Sequence, residues 1–146
     1  MGRFEGEGDY RGTSSRVQAS VVMCGPMSLL LPHIVERVEK AAGKPEGDAI
    51  IAFMGGALPA QETGIYREAS PLTHVGKHAP PMLFIDGERD RPGVRHEEFR
   101  ARLSQHGIPH EFEVMPGAPH PFWNMREWFL PTIEAVDAFL KKHLPQ

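Results

Sequence analysis

Pro80-Pro81-Met82-Leu83-Phe84-Ile85-Asp86-Gly87-Glu88-Arg89-Asp90 decides the fold of this chain. The apolar run from Met82 to Ile85 is short and has no polar alternate positions. Such a run, bounded by Pro-Pro and Asp-Gly, predicts a strand buried on both faces. The charged residues from Asp86 to Asp90 then fall at its C-terminal end.

Working upstream, Val17-Gln18-Ala19-Ser20-Val21-Val22-Met23-Cys24 begins by alternating and ends apolar, and Gly25-Pro26 stops it. It predicts a first strand. Pro32 opens a helix at its first-turn position. Ile34, Val35, Val38, Ala41 and Ala42 form its stripe, and Gly43 ends it. A short helix is expected from Asp48 as cap through Ile50, Ile51 and Phe53. Residues 58–79 read as irregular. Working downstream, a helix is expected over 92–105, with Val94, Phe99 and Leu103 inward. Ile108, His110, Phe112 and Val114 alternate with polar neighbours, which predicts a third strand. A last helix is expected over 131–143, with Ile133, Val136, Phe139 and Leu140 as its stripe.

Strands alternating with helices imply an α/β fold. The expected sheet is parallel, three-stranded or slightly larger, and flanked by helices. One domain is expected over 16–146. The Gly-rich, charged segment 1–15 reads as a flexible or swapped arm.

Composition excludes several classes. The 16 basic and 19 acidic residues give a formal charge of −3, with no long Lys/Arg tract, so nucleic acid is not an expected partner. No apolar run reaches the roughly 18 residues of a membrane span. The single cysteine, Cys24, cannot form an internal disulfide. No apolar signal core precedes residue 20, so the sequence as given is expected in the cytoplasm. His74 and His78 are four apart, as are His106 and His110, but neither pair has a convincing helix or an HExxH pattern. No metal and no cofactor are expected.

In parallel sheets, functional groups collect at the carboxyl ends of strands. Asp90 lies past the second strand and His120 past the third, in Gly117-Ala118-Pro119-His120-Pro121-Phe122. Adjacent strands would bring them together. A carboxylate that accepts from one imidazole nitrogen fixes the tautomer and leaves the other as a base. On spacing alone an alternative stays open: Asp90 caps the following helix and His120 is a satisfied loop residue. Cys24, Phe122 and Trp123 are candidates for a substrate pocket beside this pair. Cys24 reads either as a surrogate nucleophile or as a small buried thiol. Trp123, Trp128 and Phe129 read either as core cover or as the wall of an acyl or aryl site.

Ser15-Arg16-Val17-Gln18-Ala19, Cys24-Gly25-Pro26, Gly55-Gly56, the stretch from Tyr66 to Val75 through Ala69-Ser70-Pro71, the second strand and the His120 loop occur in that order. This pattern resembles the C-terminal half of an α/β-hydrolase of the carboxylesterase, feruloyl-esterase and acetyl-xylan-esterase kind. The likeness covers about residues 10–144. It implies carboxylic ester hydrolysis, with Asp90 as triad acid and His120 as triad base. Three features depart from the family pattern. Asp86-Gly87 stands where His-Gly is usual. Pro119 and Pro121 replace glycines around the histidine. No G-x-S-x-G pentapeptide or HGGG-type oxyanion loop is present in the sequence.

Two functions follow as expectations. Either the chain is part of an ester hydrolase acting on a small ester, with its serine supplied from elsewhere, or it is a non-catalytic scaffold or interaction module derived from one. In a complete hydrolase the first strand would be interior. Its free edge here is expected to pair, in a homodimer or higher oligomer through the 17–24 strand or with a separate N-terminal half.

Overall fold

The computed structural model describes residues 8–10, 12–44 and 47–144. Most of the expected arm, residues 1–7 and 11, lies outside the described residues. Three strands, β1 (Ser20–Met23), β2 (Met82–Gly87) and β3 (His110–Met115), form one parallel sheet in the order β1-β2-β3. Val21 pairs with Leu83 and Val22 with Phe84, while Phe84 also faces Phe112 and Asp86 faces Val114. The described residues form five α-helices: α1 (Pro32–Ala41), α2 (Ala49–Phe53), α3 (Thr63–Ala69), α4 (Glu97–Gln105) and α5 (Arg126–His143). The fold is α/β, as the alternation of elements requires.

Every residue of β2 is buried. Its side chains alternate between two cores. Leu83 and Ile85 pack with Cys24, Met115, Ala118, Phe122 and Phe139 of α5. Met82 and Phe84 pack with Met27 and with Phe99 and Leu103 of α4. The wholly apolar sequence of β2 thus serves two faces with a period of two. Each such side chain contributes roughly 1.5–3 kcal/mol on full burial. Among the described residues β1 pairs with β2 alone, so its other edge carries no strand. No helix among them is long and apolar enough to cross a membrane.

Local chemistry sets several boundaries. Asp48 caps α2, its Oδ1 accepting from the Ile50 N–H at 2.8 Å. Residues 58–79 are not irregular throughout, because α3 forms there. Its Tyr66 is fully buried and donates its hydroxyl to the Ala57 carbonyl at 2.8 Å. Ser70 ends α3, donating to the Tyr66 carbonyl and accepting from the Leu29 N–H. These tertiary bonds stabilise a helix too short to hold alone.

Helix α4 starts at Glu97, five residues after the expected Pro92. The intervening loop has left-handed backbone at Arg91 and Gly93, and Val94 is 48% exposed instead of inward. Helix α5 starts at Arg126, ahead of the expected Pro131, which lies inside it. Pro131 cannot donate to the helix ladder. The first turn is held from outside, by the Trp128 indole N–H donating to the Pro116 carbonyl at 3.0 Å. Ile133, expected in the buried stripe, is 46% exposed, and Thr132 and Phe139 are the buried residues of α5.

Candidate active site

The loops after β2 and β3 are joined by backbone contacts. The Glu88 N–H donates to the Met115 carbonyl and the Arg89 N–H to the Ala118 carbonyl. The Glu88 carboxylate accepts from the Gly117 N–H at 2.6 Å. Gly87 makes this approach possible, since a Cβ there would lie 2.5 Å from the Ala118 carbonyl oxygen. Glycine is required at this position for close packing of backbone rather than for a special φ.

This junction brings Asp90 and His120 together. His120 Nδ1 lies 2.9 Å from Asp90 Oδ2. The other carboxylate oxygen, Oδ1, accepts from Arg95 Nη2 at 2.6 Å, and the Asp90 carbonyl accepts from Arg95 Nη1 at 2.6 Å. The Asp90 side chain is largely covered, whereas that of His120 is half exposed. Burial pushes the Asp90 carboxyl up, but Arg95, the thiol beside it and His120 outweigh burial and hold it below the usual carboxylate range. The carboxylate is therefore charged. With the Nδ1 proton donated to Asp90, Nε2 is left as a base. The Trp123 ring stands edge-on to the imidazole, with centroids 5.2 Å apart.

The pocket candidates divide. Trp123 contacts His120 directly. Phe122 is fully buried and belongs to the core shared with Phe139. Cys24 sits just past β1 with φ +50, and it is buried beside Asp90 and His120. Burial, with the carboxylates of Asp90 and Asp86 nearby, pushes its thiol up to about 12 against a partial offset from the Gly87 N–H. A protonated thiol is a poor nucleophile. Trp128 packs partly against the core, and Phe129 is exposed.

A second Asp–His pair, absent from the sequence reading, lies behind the first. Asp86 and His96 are both fully buried, and Asp86 Oδ2 accepts from the Gly93 N–H at 2.7 Å and from His96 Nε2 at 3.0 Å. Arg100 Nε donates to His96 Nδ1 at 3.0 Å, which fixes the proton on Nε2. Phe84 stacks on the imidazole, and Phe112 meets it edge-on. Burial raises the Asp86 carboxyl, but the hydrogen bonds from His96 and Gly93 prevail and lower it. Among the described residues Asp86 Oδ1 is buried without a hydrogen-bond partner. The pair ties the end of β2 to both Gly93 and His96, so it holds the loop that carries Asp90 and Arg95. The only hint in the sequence was a carboxylate at position 86, where the resembled family has histidine.

Residues 48–146, some two thirds of the chain, match the prolyl oligopeptidase family. The chain belongs to that family. Its fold is that of the α/β-hydrolases. A truncated carbohydrate esterase from gut microbiota superposes with a TM-score of 0.68 at 23% identity, over 94% of this chain and 47% of that one. A bifunctional GH43-CE protein of Bacteroides eggerthii superposes with a TM-score of 0.67 at 26% identity, over 93% and 18%. A puromycin-hydrolyzing peptidase of Mycobacterium tuberculosis gives 0.62 at 25% identity, over 87% and 18%. The chain thus spans less than half the length of each of these three structures. No curated protein matches it.

Proposed function

We propose that this chain supplies the acid and the base of a carboxylic ester hydrolase, with the nucleophilic serine and oxyanion donors carried outside these 146 residues. The observation that carries the reading is the 2.9 Å hydrogen bond from the His120 imidazole to Asp90 at the carboxyl ends of adjacent parallel strands. In such a triad His120 Nε2 takes the serine proton as the hydroxyl attacks the ester carbonyl, then returns it to the leaving alcohol. Asp90 keeps the proton on Nδ1 and stabilises the imidazolium. Arg95 fixes the carboxylate on its far side. The carbohydrate-esterase description of a structural neighbour favours an ester substrate.

Alone, the chain is expected to hydrolyse p-nitrophenyl acetate no faster than free imidazole does. One oxyanion donor is worth about 10² to 10³ in rate, and an activated serine is missing as well. An activated phosphonate ester is expected to leave the intact mass unchanged. Turnover that disappears in His120→Ala, or a covalent adduct on the chain, would overturn the division of labour proposed here.

The alternative is a non-catalytic interaction module, and one observation favours it: among the described residues no strand pairs with the outer edge of β1. On either reading that edge is a template for another strand. Without a second half present, the chain is expected to self-associate through it as a dimer or higher oligomer, burying on the order of 1,600 Å². Light scattering on a sizing column decides this, and a monomer at micromolar concentration would refute it.

A further inference from the structure

Cys24, Asp90 and His120 offer three different ligand atoms in one place. A thiol sulfur, a carboxylate oxygen and an imidazole nitrogen all lie within 4.8 Å of one another. We propose that these three side chains form a binding site for a borderline-soft divalent cation, zinc, with its fourth position open to solvent. The proposal stands on the three atoms and does not depend on the hydrolase reading.

The chemistry of the set is selective. Sulfur and imidazole nitrogen favour zinc over magnesium or calcium, which take oxygen ligands. Zinc bonds of about 2.0–2.3 Å place tetrahedral ligand atoms roughly 3.3–3.8 Å apart. The present spacing of up to 4.8 Å therefore requires movements of the ligand atoms on the order of 1 Å. Three protein ligands and one open position is the arrangement of reactive rather than purely structural zinc sites.

The surroundings orient the ligands. Arg95 holds Asp90 Oδ1, which leaves Oδ2 to bind as a single oxygen. Trp123 supports the imidazole plane from its edge. Cys24 is held at the end of β1 by its N–H donating to the Ile85 carbonyl at 3.0 Å. Such outer contacts tune a metal site as strongly as many ligands do. Access is graded, with the thiol buried, Asp90 mostly covered and His120 half exposed, so an ion enters past the imidazole.

Binding balances without oxidant or reductant. The sulfur–zinc bond forms as the thiol proton leaves to solvent. Asp90 is already a carboxylate, and the imidazole provides a nitrogen lone pair. The positive charge of Arg95 opposes the ion, and the two negative groups formed by Asp90 and the thiolate offset it. The bound ion takes atoms that otherwise make the Asp90–His120 hydrogen bond, so ion and hydrogen bond compete for this site.

The test uses the whole chain, titrated with zinc sulfate in a calorimeter and with cobalt(II) in a spectrophotometer. One ion per chain and a thiolate-to-cobalt charge-transfer band are expected. The chain has a single cysteine, so that band assigns Cys24 without any substitution. Cys24→Ser and His120→Gln are each expected to weaken zinc binding at least about 10- to 100-fold, the range seen when even outer-sphere partners are removed. His120 is half exposed, so its variant keeps the fold and the comparison stays valid. Absence of the band, absence of zinc binding, or an affinity unchanged in His120→Gln would each overturn the proposal, the last by placing the ion on other histidines.

Discussion

Asp86→Ala is expected to destabilise the chain by about 2–5 kcal/mol, the cost of leaving two buried hydrogen-bond donors without their acceptor. Asp86 and His96 are both completely buried. Removing the carboxylate leaves the His96 Nε2–H and the Gly93 N–H without their acceptor. Each stranded donor costs roughly 1–3 kcal/mol in a dry interior. The loop from 87 to 96 also loses its internal tie. Urea unfolding at a fixed chain concentration measures the effect, because self-association would otherwise shift the midpoint.

Two controls separate charge from packing. In the Asp86→Leu/His96→Phe double variant both partners become apolar, and Phe84 and Phe112 already present aromatic faces to position 96. That variant is expected to recover most of the loss, since replacing both partners of a buried hydrogen bond by apolar groups of similar shape can be nearly neutral. The pH dependence has a definite sign. The folded-state pKa of Asp86 is lowered, so its stabilisation is complete above the unfolded value of about 3.9 and is lost as pH falls through the folded one. Asp86→Ala is therefore expected to show a shallower loss of stability below about pH 4 than the parent chain. A change under about 1 kcal/mol at neutral pH would show that the pair is not a structural tie.

The strands were legible in the sequence because their signals are local. Met82 to Ile85 reads as a buried strand from four side chains alone. That Asp90 and His120 meet was expected from their places after neighbouring strands. Arg95 and His96 were not legible, since their roles depend on a loop path set by the left-handed Arg91 and Gly93 and by Asp86 reaching forward to the Gly93 N–H. The starts of α4 and α5 were missed for related reasons. Residues 92–96 are held out of α4 by that loop, and the first turn of α5 is held by Trp128 reaching back to Pro116 across the turn. Helix α3 was missed because its seven residues gain their stability from Tyr66 and Ser70 bonds to distant backbone, which no periodicity encodes.

Pairing the chain with the part of a related carbohydrate esterase that it does not match is expected to generate ester turnover that depends on His120. The logic is geometric. β1 presents four backbone residues, Ser20 to Met23, and among the described residues no strand pairs with the outer side of this ladder. A complementary segment ending in a serine-bearing strand would add there, beside the strands whose ends carry Asp90 and His120. Phe129, Leu130 and Ile133 of α5 are also exposed, and they offer apolar area to a second half. In such a pair Asp90→Asn is expected to lower kcat by about 10⁴-fold and His120→Ala by about 10⁶-fold, as loss of the tautomer-fixing acid or of the base does in serine hydrolases. Cys24→Ala is expected to leave turnover within about tenfold, because a thiol held protonated is no nucleophile. Sizing chromatography reports whether the pair forms, and p-nitrophenyl acetate hydrolysis reports whether it works. A complex that forms without turnover would remove the acid–base role from Asp90 and His120. Turnover that survives His120→Ala would place the base elsewhere, and failure to associate would show that the β1 edge is not the docking strand.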